Sequence, residues 1–232
     1  SKKSNFLKFT QHNRKKINNV KIKDLKKILH LVTASKKPVI IAGGGIKNSQ
    51  NYKQVMKFAK TFQIPVVSSP GHADAIPFAE QLYAGQMGPR GNPIASKYVK
   101  QADLILALGT RLGFNSTFYS YENINKEAKI IQIDAELISI GRHFPVKIGI
   151  CCDVKDLMFK LNSLSPKYKN LYNSKLWIKD FLKQKKEYYR KRDEEADIYS
   201  SPIKPSGLFK TLRDIMPINS AVTLDAGTLC LQ

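Results

Sequence analysis

Three apolar runs, each ending in glycine or aspartate, limit what this chain can fold into. Pro38-Val39-Ile40-Ile41 leads into Ala42-Gly43-Gly44-Gly45, Leu104-Ile105-Leu106-Ala107-Leu108 into Gly109-Thr110-Arg111-Leu112-Gly113, and Ile130-Ile131-Gln132-Ile133 into Asp134. Short continuous apolar runs are the mark of strands buried on both faces. Helical stripes alternate with them: Leu25, Ile28, Leu29 and Val32 after Asp24 as the expected N-cap, then Tyr52, Val55, Met56, Ala59 and Phe62. Val154, Leu157, Met158 and Leu161 form a third stripe behind Asp153. Further strands are expected over 64–67 and 146–150, and a helix over 92–101. The alternation predicts an α/β fold, a doubly wound parallel sheet of Rossmann-like form. Such sheets bind nucleotides or cofactors at the carboxyl ends of their strands.

The pattern divides the chain. Residues 1–23 are polar, rich in Lys and Asn, and read as a linker; residues 24–164 hold the sheet domain. Residues 165–204 read as a surface helix carrying Leu176, Trp177, Phe181 and Tyr188, followed by an interdomain linker. Residues 205–232 open with a helix bearing Leu208, Leu212 and Ile215, then a strand over 221–224 and the turn Asp225-Ala226-Gly227-Thr228. This reads as the truncated start of a second α/β domain, and the chain as a fragment of something longer.

Charge and cysteine content narrow the classes. The net charge of +21 would suit nucleic acid if it were concentrated on one face, but the lysines are scattered and no Arg/aromatic platform recurs. No nucleic-acid partner is expected. Three cysteines, two of them adjacent as Cys151-Cys152, make neither a disulfide framework nor a zinc spacing, which predicts a reduced, cytoplasmic setting. No apolar run has the length of a membrane span, so no membrane partner is expected.

The candidate binding residues lie at the strand ends. Gly43-Gly44-Gly45 lacks the usual dinucleotide spacing of glycines and serves equally as a tight turn. The loop Gly85-Gln86-Met87-Gly88-Pro89-Arg90-Gly91 sets one cation, Arg90, among glycines, as a loop wrapping a phosphate or flat ring would; a rigid surface loop is the alternative. Arg111 is placed to reach a pyrophosphate at the sheet edge, or to pair with a nearby acid. Asp134 and Glu136 suit ribose hydroxyls, although Asp also ends strands for purely structural reasons. His72 and Asp74 lack a nucleophile to complete a hydrolase, and Cys151 and Cys152 lack a cationic partner, so bystander and buried roles are expected for them.

These motifs together resemble the central domain of thiamine-diphosphate-dependent enzymes of the acetolactate synthase type. The resemblance runs over residues 25–161: the run 37–45 is similar to the family's opening strand and glycine turn, 64–69 through Ile76-Pro77 to its second strand and loop, 85–91 to its flavin-facing loop. Residues 102–111 and 131–134 resemble the strands that follow. It implies a thiamine-diphosphate- and Mg2+-dependent transferase or lyase acting on C–C bonds of 2-oxo acids or aldehydes, as a homodimer or homotetramer. It also implies that Ala226, Gly227 and Thr228 contact thiamine diphosphate, and that residues 1–23 arrive from a pyrimidine-binding domain. The catalytic glutamate and the metal ligands belong to parts of the family's fold outside this chain, so the fragment by itself is expected to be inactive, with no catalytic or metal residue of its own.

In flavin-binding members FAD lies along the same edge, which would make Gly43, Gly44, Gly45, Gly88, Arg90, Arg111, Asp134 and Asp153 its contacts. Gly113-Phe114-Asn115 departs from the charged residues usual there, and His72-Ala73-Asp74 from a small-residue loop. Other members lack the flavin, so FAD stays open. Two rival readings also remain: an NAD-binding or NAD-consuming domain on a sheet of this kind, and a basic nucleic-acid-binding module.

Overall fold

Apolar runs and helical stripes assemble into one six-stranded sheet in the computed structural model, which describes residues 20–217 apart from 49 and 173, together with 219, 220 and 222. The linker 1–19, and the turn holding Asp225, Ala226, Gly227 and Thr228, lie outside the described residues. The strands are β1 (Pro38–Ala42), β2 (Val66–Ser68), β3 (Tyr83–Gln86), β4 (Leu104–Leu108), β5 (Lys129–Asp134) and β6 (Ile148–Cys151). Every neighbouring pair is parallel, and the order is β3-β2-β1-β4-β5-β6. The chain works outward from β1 to one edge, then returns to build the other half beside β1. That reversal leaves a crevice between the carboxyl ends of β1 and β4, the place where doubly wound sheets take ligands.

Burial follows the order. All five residues of β1 and all five of β4 are buried, while the edge strand β6 is only partly covered. The helices are α1 (Ile22–Ala34), α2 (Gly44–Asn48), α3 (Tyr52–Phe62), α4 (Pro93–Gln101), α5 (Phe114–Thr117), α6 (Val154–Leu164), α7 (Lys175–Glu195) and α8 (Pro205–Ile215). Helices α1 and α3 pack with α6, and α4 packs with α7. Asp153 caps α6 as expected, its Oδ1 accepting from Lys155 N at 2.7 Å, and Asn92 caps α4, its Oδ1 accepting from the Ile94 and Ala95 amides ahead of Pro93. Asp24 is not a cap. Helix α1 begins three residues earlier than that cap would have it, with Lys21 at the N-cap position and Asp24 in the first turn.

Strand β3 has no counterpart among the strands expected from sequence. Its four residues include Gly85 in the left-handed region (φ +95°) and Gln86, so it reads as loop. What holds it is Tyr83: the hydroxyl donates to Ala73 O at 2.8 Å and accepts from Ser68 Oγ at 2.8 Å, stitching β3 to β2.

The surface helix α7 buries one face of its first half. Trp177, Ile178 and Phe181 are buried; Trp177 Nε1 donates to Pro38 O at 3.0 Å, and the Tyr98 hydroxyl of α4 donates to Asp180. Further along, Asn92 Nδ2 donates to the Tyr189 hydroxyl, which donates to Ala84 O of β3. Helix α8 is tied to the end of α7 through Arg213 and Asp193, 3.0 Å apart. No helix of the described residues is long and apolar enough to cross a membrane.

Candidate functional site at the sheet's carboxyl edge

The turns after β1, β2, β4, β5 and β6 converge on one cleft of about 690 Å³. Its floor is made where two glycine turns meet. A Cβ on Gly43 would fall 2.2 Å from Gly109 O, and one on Gly45 would fall 2.7 Å from Gly109 Cα. Gly43 N donates to Leu108 O and Gly45 N to Gly109 O, so the turns after β1 and β4 are bonded as well as packed. Gly109 itself has φ +61°. Only glycine fits these positions.

Gly44 faces a different neighbour. A Cβ there would lie 2.5 Å from His72 Nε2. His72 Nδ1 sits 3.1 Å from Pro70 O, which can only accept, so Nδ1 donates to it and Nε2 faces Gly44. Ser69 Oγ is 3.2 Å from the same Nδ1. The loop after β2 thus enters the cleft through Ser69, Pro70 and His72, while Asp74 points away into an ion pair with Lys47.

Buried Gln132 braces the opposite side. Its amide nitrogen donates to Thr110 O and Ser139 O, and its oxygen accepts from Gly141 N. One side chain therefore ties the turn after β4 to the loop between β5 and β6. Asp134 at the end of β5 is half-buried; burial pushes its carboxyl above the ordinary carboxylate range, against the pull of the Glu136 amide and the Arg111 guanidinium. In the fold the neutral form is favoured relative to the unfolded chain. Asp134 therefore costs no stability below the usual carboxylate range, and stability falls as pH rises through its raised value. Asp134→Asn should melt higher than the wild type at pH 7, the gap closing toward pH 4 in paired thermal melts; a constant gap would contradict the burial argument.

Of the residues singled out from sequence, Gly44, Gly45, Arg111, Asp134, Glu136 and Asp153 line the cleft. Gly43 lies just behind it, against Gly109 and Thr110. Gly88 (φ +114°) backs the wall, since a Cβ there would lie 2.7 Å from Asn115 O. Arg90 is exposed on the loop after the edge strand β3 and is not among the lining residues. Residues that the sequence did not single out as binding also line it: Asn48, Ser69, Phe114, Tyr119, Arg142 and His143. Ser69 could have been found, because it directly follows a buried strand. Burial pushes the Cys152 thiol up to about 12 and also raises that of Cys151, leaving both poor nucleophiles. Among the described residues no group of three His, Cys, Asp or Glu could hold a metal ion.

Residues 25–161 match the family model described as thiamine pyrophosphate enzyme, central domain. The chain belongs to the thiamine pyrophosphate enzymes. Relatives of this thiamine enzyme domain include the sulfoacetaldehyde acetyltransferase of Castellaniella defragrans, 36% identical over 127 residues, covering 54% of this chain and 21% of the relative. Acetolactate synthase 2 of Nicotiana tabacum is 32% identical over 166 residues, covering 71% and 24%. The acetolactate synthase large subunit of Buchnera aphidicola subsp. Schizaphis graminum is 29% identical over 210 residues, covering 88% and 35%. The chain thus spans about a fifth to a third of the length of the relatives it matches. The longest of these alignments exceeds the family-model span, so likeness to the thiamine enzymes runs beyond the central domain itself.

Proposed function

We propose that this chain is the central part of an enzyme that makes or breaks a C–C bond next to a carbonyl, using thiamine diphosphate with Mg2+ on a 2-oxo acid or aldehyde. The observation that carries this is the central-domain match over residues 25–161, joined to relatives named acetolactate synthase and sulfoacetaldehyde acetyltransferase. Thiamine diphosphate, when bound, supplies an electron sink for the carbanion of the donor. In this reading Ala226, Gly227 and Thr228 contact its diphosphate, the catalytic glutamate and metal ligands stand outside residues 1–232, and the enzyme works as a homodimer or homotetramer in the cytoplasm. Free Cys151 and Cys152 suit that compartment.

The switch-point cleft has its own role in the proposal: it holds FAD or a related nucleotide as a structural ligand. The residues fit such a group. A cleft of about 690 Å³ is within the usual range for cofactor sites, of roughly 300–1,000 Å³. Arg111 and Arg142 on its lining offer cations for a diphosphate, and Asp134 and Glu136 offer acceptors for ribose hydroxyls. The glycine floor keeps side chains out of the space between the two halves of the sheet.

The test uses the full-length protein, assayed with pyruvate and a panel of 2-oxo acid and aldehyde acceptors. Turnover that requires both thiamine diphosphate and Mg2+ is expected. Turnover indifferent to both, or none with any donor in protein loaded with both, would overturn the reading. Flavin absorbance of the purified protein, or its titration with FAD and NAD, tests the cleft separately.

A further inference from the structure

The turn after β4 sets a row of aromatic rings in water along the cleft wall. Phe114 and Tyr119 line the cleft and are 55% and 53% exposed. They are ordered by one another: the Phe114 ring lies 4.8 Å from that of Phe118 and 5.6 Å from that of Tyr119. Tyr119 in turn stacks on His143, with centroids 4.4 Å apart and planes at 29°. This last pair joins the turn after β4 to the loop between β5 and β6.

The backbone beneath them is strained. Leu112, Phe118 and Tyr119 have φ of 52°, 50° and 55°, the left-handed region that side chains with a Cβ rarely enter. Thr117 holds the turn in that shape: its hydroxyl lies 3.2 Å from both Leu112 O and Gly113 O and accepts from Tyr119 N at 3.1 Å. Asn123 Nδ2 adds a bond to Thr117 O. Exposing aromatic surface and straining three residues both cost stability, and strain concentrated beside a cleft is characteristic of ligand sites. Elsewhere on the lining the charged side chains suit diphosphate and ribose.

We propose that Phe114 and Tyr119 form a stacking platform for the planar heteroaromatic ring of the cleft's ligand, with Tyr119 held by its stack on His143. The inference rests on the reading of the cleft as a nucleotide-cofactor site, and extends it by assigning ring recognition to aromatic faces rather than charged side chains. Adenine and isoalloxazine share the required chemistry, a flat polarisable face.

The experiment titrates the full-length protein, loaded with thiamine diphosphate and Mg2+, with FAD, FMN, ADP and inorganic diphosphate by calorimetry, in wild type, Phe114→Ala, Tyr119→Ala and Tyr119→Phe, with circular dichroism confirming each fold. Each alanine variant should weaken FAD on the order of tenfold, Tyr119→Phe should keep wild-type affinity, and diphosphate binding should not change. Loss for FMN alone places isoalloxazine on the platform; loss for ADP alone places adenine there. Wild-type FAD affinity in both alanine variants would overturn the platform while leaving the cleft reading intact, and so would an equal loss for diphosphate. A wild type that binds none of the four overturns the cleft reading and the platform with it. Sedimentation of the same samples adds a last arm: a change of oligomeric mass with unchanged FAD binding makes the rings an interface and also overturns the proposal.

Discussion

Gly109→Ala should be among the most damaging single-methyl substitutions available in this chain, lowering stability by about 2–5 kcal/mol. Two costs combine at that position. The residue sits at φ +61°, where a side chain costs about 1–2 kcal/mol. The new Cβ would also fall 2.6 Å from Gly45 Cα and 2.9 Å from Gly45 N, backbone atoms that cannot rotate away, and overpacking of this kind costs about 1–3 kcal/mol. Urea unfolding followed by circular dichroism measures the loss. Gly113→Ala is the matched control on the same turn: φ is −71° and nothing lies within 4 Å of the added carbon, so its change should stay within about 0.5 kcal/mol. Equal losses at the two positions would mean that the meeting of the β1 and β4 turns does not limit stability.

Phe181→Ala should cost about 3–5 kcal/mol, the range for removing a fully buried phenyl group. Phe181 is 0% exposed and packs its ring edge to face with Tyr98, 5.0 Å between centroids. The chain contains a single tryptophan, and Trp177 lies one helical turn before Phe181 on α7, 4.5 Å from the same Tyr98 ring. Its fluorescence therefore reports the seating of α7, while far-ultraviolet circular dichroism reports the helices and strands of the domain as a whole. If α7 is part of the same cooperative unit, both signals will shift together to lower urea. An early fluorescence transition with an unmoved main circular-dichroism transition would make α7 a loosely attached arm.

Sequence reasoning reached the central strands and much of the site because both follow from burial. Strands β1 and β4 are buried along their whole length, so nearly every position must be apolar and the run announces itself. Arg111, Asp134 and Asp153 stand at or just past the ends of β4, β5 and β6, and the order of the sheet then brings them to one edge. Where burial is partial the signal thins. Strand β3 has only Tyr83 and Ala84 buried, and α7 buries three residues of 21 in a mostly charged segment. Arg90 looked like a site residue because glycines surround it, but its loop follows the edge strand β3, away from the pair of strands that make the crevice. The stack of Tyr119 on His143 depends on left-handed backbone at Phe118 and Tyr119, which no local residue preference encodes.

The meeting of the β1 and β4 turns has a consequence for how this domain could be altered. The bottom of the cleft is written in main chain, as glycine against glycine, and tolerates almost no edit without loosening the sheet itself. The side formed by residues 113–119 is written in side chains, several of which face solvent and pack on one another and on His143 rather than on the core. A designer could therefore rewrite that side to accept a different guest while leaving the foundation untouched.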